Sequence, residues 1–423
     1  MSRKKKISVL HVTYNDVSGG AARYASRVHS SLIKHGVDSK MLVLNKESDN
    51  PTVHACESGR IRKQFSSAID KLPLVFYKNQ NSKISPGLFN DFVTSQIEKM
   101  NPDIVHLHWT NNGLMSIRSI SRIKQPIIWS ILDMWPFTGG CHYDDWCYRY
   151  TENCGKCPVL NSNRKNDLSR YILNIKKSVY AKIDFSTIAI SQWMKDCMIK
   201  STVMKDKEVK VIPPSLDLTL FRPIEKKISR DLFNLPKNKK LILFGAINST
   251  SDPRKGFHQL IEALKKINDE DSLKNIEIVV FGATNSDFES EIKLKVNFVG
   301  RLTSGYGSFD DASLSALYSA ADLTIVPSLQ EAFGQVAIES MACGVPVVAF
   351  DKTGLKDIVT HKKDGYLAEH NNIEDLYRGV IWGLKHGGKQ EITQNALEKT
   401  KALFDESKTA LEIIELYKSK INK

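Results

Sequence analysis

Two carboxylates eight residues apart stand in a segment otherwise built from small and apolar residues: Glu331 and Glu339 in SLQEAFGQVAIESMACG (328–344). An unpaired buried charge is driven to neutralise or to find a partner, so a buried helix has no use for them. A solvated helix would show more polar residues than Val336, Ala337, Ile338, Met341, Ala342 and Cys343 allow. Something other than the fold is expected to hold the two groups. LTIVP reads as a strand, SLQEAFG as the loop at its carboxyl end, and QVAIESMACG as a helix starting near Gly334. Backbone N–H groups at a helix N-terminus, next to a glycine that lets a ligand approach, form an anion site. Glu331 lies in the loop and Glu339 about a turn and a half into the helix. One carboxylate can then bond hydroxyls on one side of a bound diphosphate, and the other those on its far side. A nucleotide-sugar, with a sugar on one side and a ribose on the other, fits that pattern.

The elements that must position these groups alternate along the whole chain. The first half offers KISVLHV, SKMLVLN, DIVHLHW, PIIWSIL and FSTIAIS, with amphipathic segments such as 21–35 and 88–99 between them. Short Val/Ile/Leu runs separated by helices argue for a parallel sheet covered on both faces. VIPPSLDLTLFRP (211–223) ends in a Pro-rich turn, and the charged stretch after it reads as a linker. A second series follows in LILFG, IEIVVFG, VNFVG, LTIVP and VPVVAF. The expected architecture is α/β: a doubly wound domain over 1–222, a linker over 223–240, a second doubly wound domain over 241–400, and a C-terminal helix over 401–423 packing back towards the first domain. Ligands of such sheets bind beyond the carboxyl ends of the strands, so the active site is expected in the cleft between the domains.

A chain of 423 residues exceeds one comfortable core. Its 41% hydrophobic and 25% charged content is that of a soluble globular protein. No apolar run approaches the roughly 20 residues that span a bilayer. MSRKKKISVLHV has a basic start followed by a strand's length of apolar residues and no cleavage site, so a cytoplasmic start is expected. The formal charge of +13 suits a polyanionic partner or an anionic membrane face. No basic repeat, RNA-binding aromatic signature or zinc-finger spacing supports nucleic acid, which is not expected as a partner.

The opening stretch also resembles a known family. E-A-F-G-Q-V-A-I-E-S-M-A-C-G-V-P-V-V-A is similar to the E-x7-E signature of retaining glycosyltransferases of the GT-B fold, family four, and the resemblance runs through ALYSAADLTIVPS, TGLKDIV and KDGYL to cover most of 241–370. It implies that Glu331 contacts the donor sugar and Glu339 the ribose. The backbone amides of Phe333 and Gly334 would hold the diphosphate, with Ser328 and Gln335 on the same donor loop. In SDPRKGFHQLIEAL (251–264) the resemblance puts Lys255 on the diphosphate. Many members carry an Arg directly after the preceding strand's Gly; this chain has Ala246 there, so either Arg254 substitutes or that contact is missing. NFVGRL (297–302) matches the loop that lines the base, giving Arg301 and Leu302. Gly19-Gly20, after the first strand and before a helix, resembles the family's N-terminal glycine loop near the donor phosphates. It is not the G-x-G-x-x-G fingerprint, so no nicotinamide cofactor is expected.

On the acceptor side, DIVHLHWTNNG (103–113) places His108, Asn111 and Asn112 at a strand end, where they could bind acceptor hydroxyls; His106 reads as core. SILDMWPFTGGCHYDDWCYRYTENCGKCP (130–158) resembles a segment of bacterial surface-polysaccharide glycosyltransferases in which His-Asp stands where this chain has Leu132-Asp133. Asp133 is the expected catalytic-side contact to donor sugar or acceptor, and His142 a stand-in for the missing His. Cys141, Cys147, Cys154 and Cys157 are spaced C-x5-C-x6-C-x2-C. They would suit a tetrahedral structural zinc or stay a loop of reduced or paired thiols; the spacing leaves both open.

The resemblance implies a retaining glycosyltransferase that needs no cofactor for catalysis, because the helix N-terminus and Lys255 supply positive potential to the diphosphate. The donor would be UDP- or GDP-linked. The acceptor would be a glycan, lipid-linked in surface-polysaccharide (O-antigen or capsule) synthesis, met by a peripheral protein on the inner face of the membrane. RIRKQFSSAIDKLPLVFYK (60–78) is the expected contact with that anionic surface. The rival readings are a nucleotide-sugar epimerase of the same fold and a non-catalytic nucleotide-sugar-binding protein.

Overall fold

A computed structural model describes residues 6–57, 60–77, 83–245, 252–267, 275–282, 291–300, 302 and 309–421. Arg301 and Ala246 lie outside them. The chain divides into two compact units, Met1–Ile212 with Ser407–Lys423, and Pro213–Glu406.

The first unit is built on β1 (Ser8–Asn15), β2 (Asp38–Asn45), β3 (Val53–Ala55), β4 (Ile104–Leu107), β5 (Ile127–Ile131), β6 (Phe185–Ala189) and β7 (Val209–Val211). All pair in parallel, in the order β3-β2-β1-β4-β5-β6-β7. Parallel strands buried on both faces need continuous apolar runs, and β4 and β5 are buried at every position. The first helix, Gly20–Lys34, turns Ala22, Ala25, Val28 and Leu32 inward at the three- and four-residue spacing of one helix face. The helix Glu406–Ile421 docks its C-terminal part on this unit: Tyr417 is fully buried and its hydroxyl lies 2.6 Å from Nδ1 of His106.

The second unit carries β8 (Lys240–Gly245), β9 (Ile276–Phe281), β10 (Val296–Gly300), β11 (Leu323–Val326), β12 (Val347–Phe350) and β13 (Gly365–Ala368), again all parallel, in the order β10-β9-β8-β11-β12-β13. Its core joins Ile242, Phe244, Ile278, Val280, Ile325 and Val348 to the helices Phe257–Ile267 and Ile373–His386.

The expected linker over 223–240 is instead part of the second unit. Lys226–Leu232 is a helix, and Arg230 on it is buried. Its guanidinium reaches Asp322 at 2.8 Å and the carbonyls of Ala320, Lys237 and Lys239. A charged composition read as solvated linker because its one buried cation finds its partners about ninety residues away.

In each sheet the strand order reverses once, between β1 and β4 and between β8 and β11. Loops leaving neighbouring strands on either side of such a reversal diverge and leave a crevice at the carboxyl edge. Gly19, His108, Asn111 and Asn112 follow β1 and β4, and Arg254, Lys255, Ser328, Glu331 and Gly334 follow β8 and β11, whereas Asp133 and the four cysteines follow β5, Leu302 follows β10 and Glu339 lies within a helix.

Candidate active site

Within the second unit, the loop after β8 and the loop after β11 are locked together. Leu329 N–H donates to the Arg254 carbonyl at 2.8 Å, and Arg254 Nη1 to the Gln330 carbonyl at 2.7 Å. Gly256 has φ +69, and a Cβ there would lie 1.7 Å from the Pro327 oxygen, so only glycine lets the two loops meet. Lys255 is thereby delivered to Glu331: Nζ to Oε2 is 2.5 Å, with Ser328 Oγ donating to the same oxygen at 3.2 Å. Burial pushes the Glu331 carboxyl up, but Lys255 and then Arg254 outweigh it and hold it below the ordinary glutamate value. It is ionised at neutral pH.

Arg254 donates to Asp252 at 2.9 Å and to the Gln330 carbonyl, and so braces the loop that Glu331 stands on.

The helix Gln335–Ala342 begins at Gly334, whose φ of +121 no other residue adopts readily. Gly354 presses on the same turn, where a Cβ would lie 2.4 Å from the Ala332 oxygen. The result is a tight turn in which, among the described residues, the N–H groups of Phe333 and Gly334 donate to no protein acceptor. Orphan N–H groups, the positive end of a helix and a lysine ammonium thus converge beside one ionised carboxylate. Such a grouping binds a diphosphate and, next to it, a hydroxyl-bearing group. Gln335 opens the helix, Phe333 is buried edge-on against Phe404, and Leu302 is half-buried at the end of β10.

Glu339 is fully buried and accepts a hydrogen bond from the Tyr318 hydroxyl at 2.8 Å. Tyr318 was not singled out by sequence. It lies in ALYSAAD, five residues before β11, where the only signal is a polar-tipped aromatic on an otherwise apolar helix face.

In the first unit, Gly19 (φ +96) caps the helix Gly20–Lys34, and added Cβ atoms at Gly19 and Gly20 would meet nothing within 4 Å. Gly19 serves the backbone turn, and the helix start is left open. Asp133, after β5, accepts from Trp109 Nε1 at 2.8 Å, His142 Nδ1 at 2.7 Å and Trp135 N–H at 2.9 Å. These donors fix the carboxylate, which in turn positions His142 and Trp109. The His142 ring stacks on Trp109 at 5.5 Å, and its Nε2 lies 3.0 Å from Ser85 Oγ.

His108 is a correction to the acceptor-side expectation. It is buried, stacked on His106 at 4.2 Å, with Nε2 2.8 Å from Nδ1 of His11. Residues alternate faces along a strand, so His106 and His108 turn together into the core. His11, His106 and His108 are the trio of metal-ligand-type groups within 4.8 Å of one another among the described residues. His106 is already satisfied on both ring nitrogens, by Tyr417 and by Ser130. Asn112 holds a positive φ and accepts from Ser67 at 2.6 Å, whereas the buried Oδ1 of Asn111 finds no donor among the described residues.

Cys141, Cys147, Cys154 and Cys157 carry free thiols around one small cavity. Burial, and then Cys157 and Cys147, push the Cys154 thiol up to about 12 against its hydrogen bond from Gly139. Lys176 stands beside them, fully buried, donating to the carbonyls of Trp135 and Thr138. Burial brings its pKa down to about 7, against the pull of Cys141 and Asp133. Its place on the apolar face of LSRYILNIKKSVY, four residues after Ile172 and three before Val179, was the available signal.

Two doubly wound units with this donor loop define a GT-B glycosyltransferase. Comparison with known proteins gives the family: residues 18–220 match Glycosyltransferase Family 4 and residues 225–400 match glycosyl transferases group 1. The chain belongs to this group 1, family 4 class, in which retention and hexosyl transfer without a catalytic metal are typical. It is 27% identical over 66% of its length to an uncharacterized glycosyltransferase, MJ1607, of Methanocaldococcus jannaschii, covering 74% of that protein. It is 31% identical over 50% of its length to D-inositol 3-phosphate glycosyltransferase 2 of Catenulispora acidiphila, and spans 51% of that protein. In fold it is similar to sucrose-phosphate synthase of Thermosynechococcus elongatus (TM-score 0.68, 18% identity, 98% and 99% of the two chains covered). It is also similar to HepE of Anabaena in complex with UDP and glucose (0.66, 16%, 98% and 100%). A third is WaaG, a glycosyltransferase involved in lipopolysaccharide biosynthesis (0.64, 18%, 96% and 99%).

Proposed function

We propose that this chain moves a hexose, with retention, from a UDP- or GDP-linked donor to a lipid-linked glycan acceptor in bacterial surface-polysaccharide (O-antigen or capsule) synthesis, working as a peripheral protein on the inner face of the cell membrane. The observation that carries it is the Lys255–Glu331 pair set against the unpaired N–H groups of Phe333 and Gly334. As the glycosidic bond breaks, negative charge grows on the leaving diphosphate. The two amides and the helix end are already aimed there and need no reorganisation, and Lys255, paired with Glu331, stands beside them. Glu331 takes sugar hydroxyls on the other side and Glu339 the ribose. Asp133 orients His142 and Trp109 for sugar or acceptor, and Asn111 offers an unmatched oxygen to an acceptor hydroxyl. The UDP and glucose of HepE and the lipopolysaccharide role of WaaG support this donor and acceptor class.

The test incubates purified protein with labelled UDP- and GDP-sugars, with and without bacterial membrane lipid. Expected is lipid-dependent transfer with the anomeric configuration retained. Isomerised free nucleotide-sugar would instead make it an epimerase, and bound, unchanged donor a binding protein.

Among the described residues, no helix is long and apolar enough to cross a membrane. The helix Arg60–Lys71 and the turn Leu72–Phe76 do expose Phe65, Leu72, Val75 and Phe76, the last at 89%. With a chain charge of +13, this apolar edge suits insertion into an anionic surface. The protein should sediment with anionic liposomes at low salt, be released as salt shortens the Debye length, and lose most binding in Val75→Asp/Phe76→Asp. Equal recovery with neutral liposomes at low salt would count against this.

A further inference from the structure

The four cysteines have no task in sugar transfer, yet the fold spends an irregular loop on bringing them together. They line one cavity with Thr138, Asp144, Tyr150 and Ser169. From Gly139 to Cys157 the regular structure is a three-residue turn, Arg149–Thr151. Five non-glycine residues of the stretch, Asp145, Trp146, Tyr148, Cys154 and Lys156, hold positive φ between 45° and 62°. L-residues stay in that region only where the surroundings over-determine them. Gly155 is fixed as glycine because a Cβ would lie 2.1 Å from the Lys165 oxygen. This backbone gathers the four sulfurs around one cavity, which suits an occupant at its centre.

The surroundings of each sulfur say what that is. Cys147 faces the N–H of Arg149, Cys154 the N–H of Gly139, and Cys157 the N–H groups of Leu160 and Val159, whereas the Thr138 hydroxyl donates to the Cys141 carbonyl and the Ser169 hydroxyl to Asp167. In the Cys147 and Cys157 turns the donor lies two or three residues after the cysteine, so the backbone curls its N–H groups onto the sulfur. Thiols accept hydrogen bonds poorly; thiolates accept them well. Backbone N–H groups thus face three of the four sulfurs, and the Lys176 side chain, on the helix Leu168–Tyr180, stands beside Cys141 and Cys154.

We propose that Cys141, Cys147, Cys154 and Cys157 bind one structural Zn²⁺ as a tetrahedral tetrathiolate, with Lys176 offsetting part of its charge. Binding displaces one proton from each thiol, so four thiols and Zn²⁺ give a dianionic centre and four released protons. Soft sulfur ligands in a closed set of four select zinc over magnesium or calcium, and leave no open position for catalysis. Zn–S bonds of about 2.3 Å set neighbouring sulfurs roughly 3.8 Å apart. No three of the four sulfurs are mutually within 4.8 Å in the metal-free geometry. Loading must draw the loop inward on the order of an ångström. The histidine trio is the weaker metal site, because both ring nitrogens of His106 are taken, by Tyr417 and by Ser130.

The test measures metal content by mass spectrometry on full-length protein made in zinc-supplemented medium and purified under reducing conditions. About one zinc per chain is expected, falling to background in Cys154→Ser and unchanged in the control Cys343→Ser, a buried thiol outside the cluster. Should Cys154→Ser fail to fold, the wild type still decides. Titration with a mercurial should release zinc in step with modification of the four thiols, and cobalt exchange should give the charge-transfer and ligand-field bands of a tetrahedral thiolate. No metal in the wild type, iron in zinc's place, or a disulfide mapped between any two of the four would each overturn the proposal. Transfer activity is not the readout, so this result stands apart from that of the donor test.

Discussion

Lowering the pH from about 7 to 5 should unfold the first unit while the second stays folded. His11, His106 and His108 are packed into the sheet core, with His29 beside them on the helix Gly20–Lys34. Burial is the main cause that pulls each below the ordinary histidine value: His29 to about 4 and His106 to about 3, His11 and His108 well down. The unfolded chain takes up these protons near pH 6.5, and the folded chain does not until far lower. The unfolded state therefore binds more protons throughout the window from about 6.5 to 4, and stability falls with pH there. Each histidine contributes a slope of up to about 1.4 kcal/mol per pH unit, so four approach about 5 kcal/mol per unit, comparable with the whole stability of a domain.

Asp70 works the other way. Burial raises it to about 6, so its proton is bound more tightly in the folded state, and it offsets about one histidine. The net slope still favours cooperative acid unfolding. Five of the six tryptophans (109, 129, 135, 146 and 193) lie in the first unit and only Trp382 in the second, so tryptophan fluorescence follows the unit concerned. A transition with its midpoint between pH 6 and 5 is expected, with its slope reduced by about a third in His29→Gln. A first unit still folded at pH 4 would show that protons reach these rings without breaking the core.

How much of this was legible in the sequence depends on where each residue's partner lies. The donor loop was legible because its pieces are contiguous: strand, Ser328, Glu331, Gly334 and Glu339 fall within two turns of chain, and glycine marks the sharp backbone. Lys255 was placed by resemblance, and the structure supplies the reason in Gly256 against Pro327. Partners far apart in sequence were not legible. Tyr318 meets Glu339 from 21 residues away, Arg230 meets Asp322 from 92, and His106 meets Tyr417 from 311. His108 shows the reverse failure. A polar residue at a strand's carboxyl end was read as facing a ligand, but the pleat sends it into the sheet beside His106. Asp133 was legible in position but its partners were not, since three donors from Trp109, Trp135 and His142 meet only in the fold.

Exchanging the two glutamates of the donor loop for glutamine should separate binding from turnover. Glu331 is half of an ion pair with Lys255. Glu331→Gln keeps the volume but frees the ammonium to turn wholly to the diphosphate. Affinity for the bare nucleotide diphosphate should therefore hold or rise. Turnover should drop roughly a hundred-fold, the size of effect that follows from removing one group aimed at charge developing in the transition state. Glu339 should bind the ribose through charge-assisted bonds of roughly 1.5–3 kcal/mol each, so Glu339→Gln should weaken bare nucleotide binding about ten-fold or more. Glu339→Ala is a poorer probe, because it strands the Tyr318 hydroxyl in the core and costs about 1–3 kcal/mol of stability for that reason alone. Calorimetry with UDP and GDP, steady-state kinetics and a melting curve on both glutamine variants decide the matter. If Glu331→Gln abolishes nucleotide binding while Glu339→Gln leaves it untouched, the donor lies in the opposite sense along the helix.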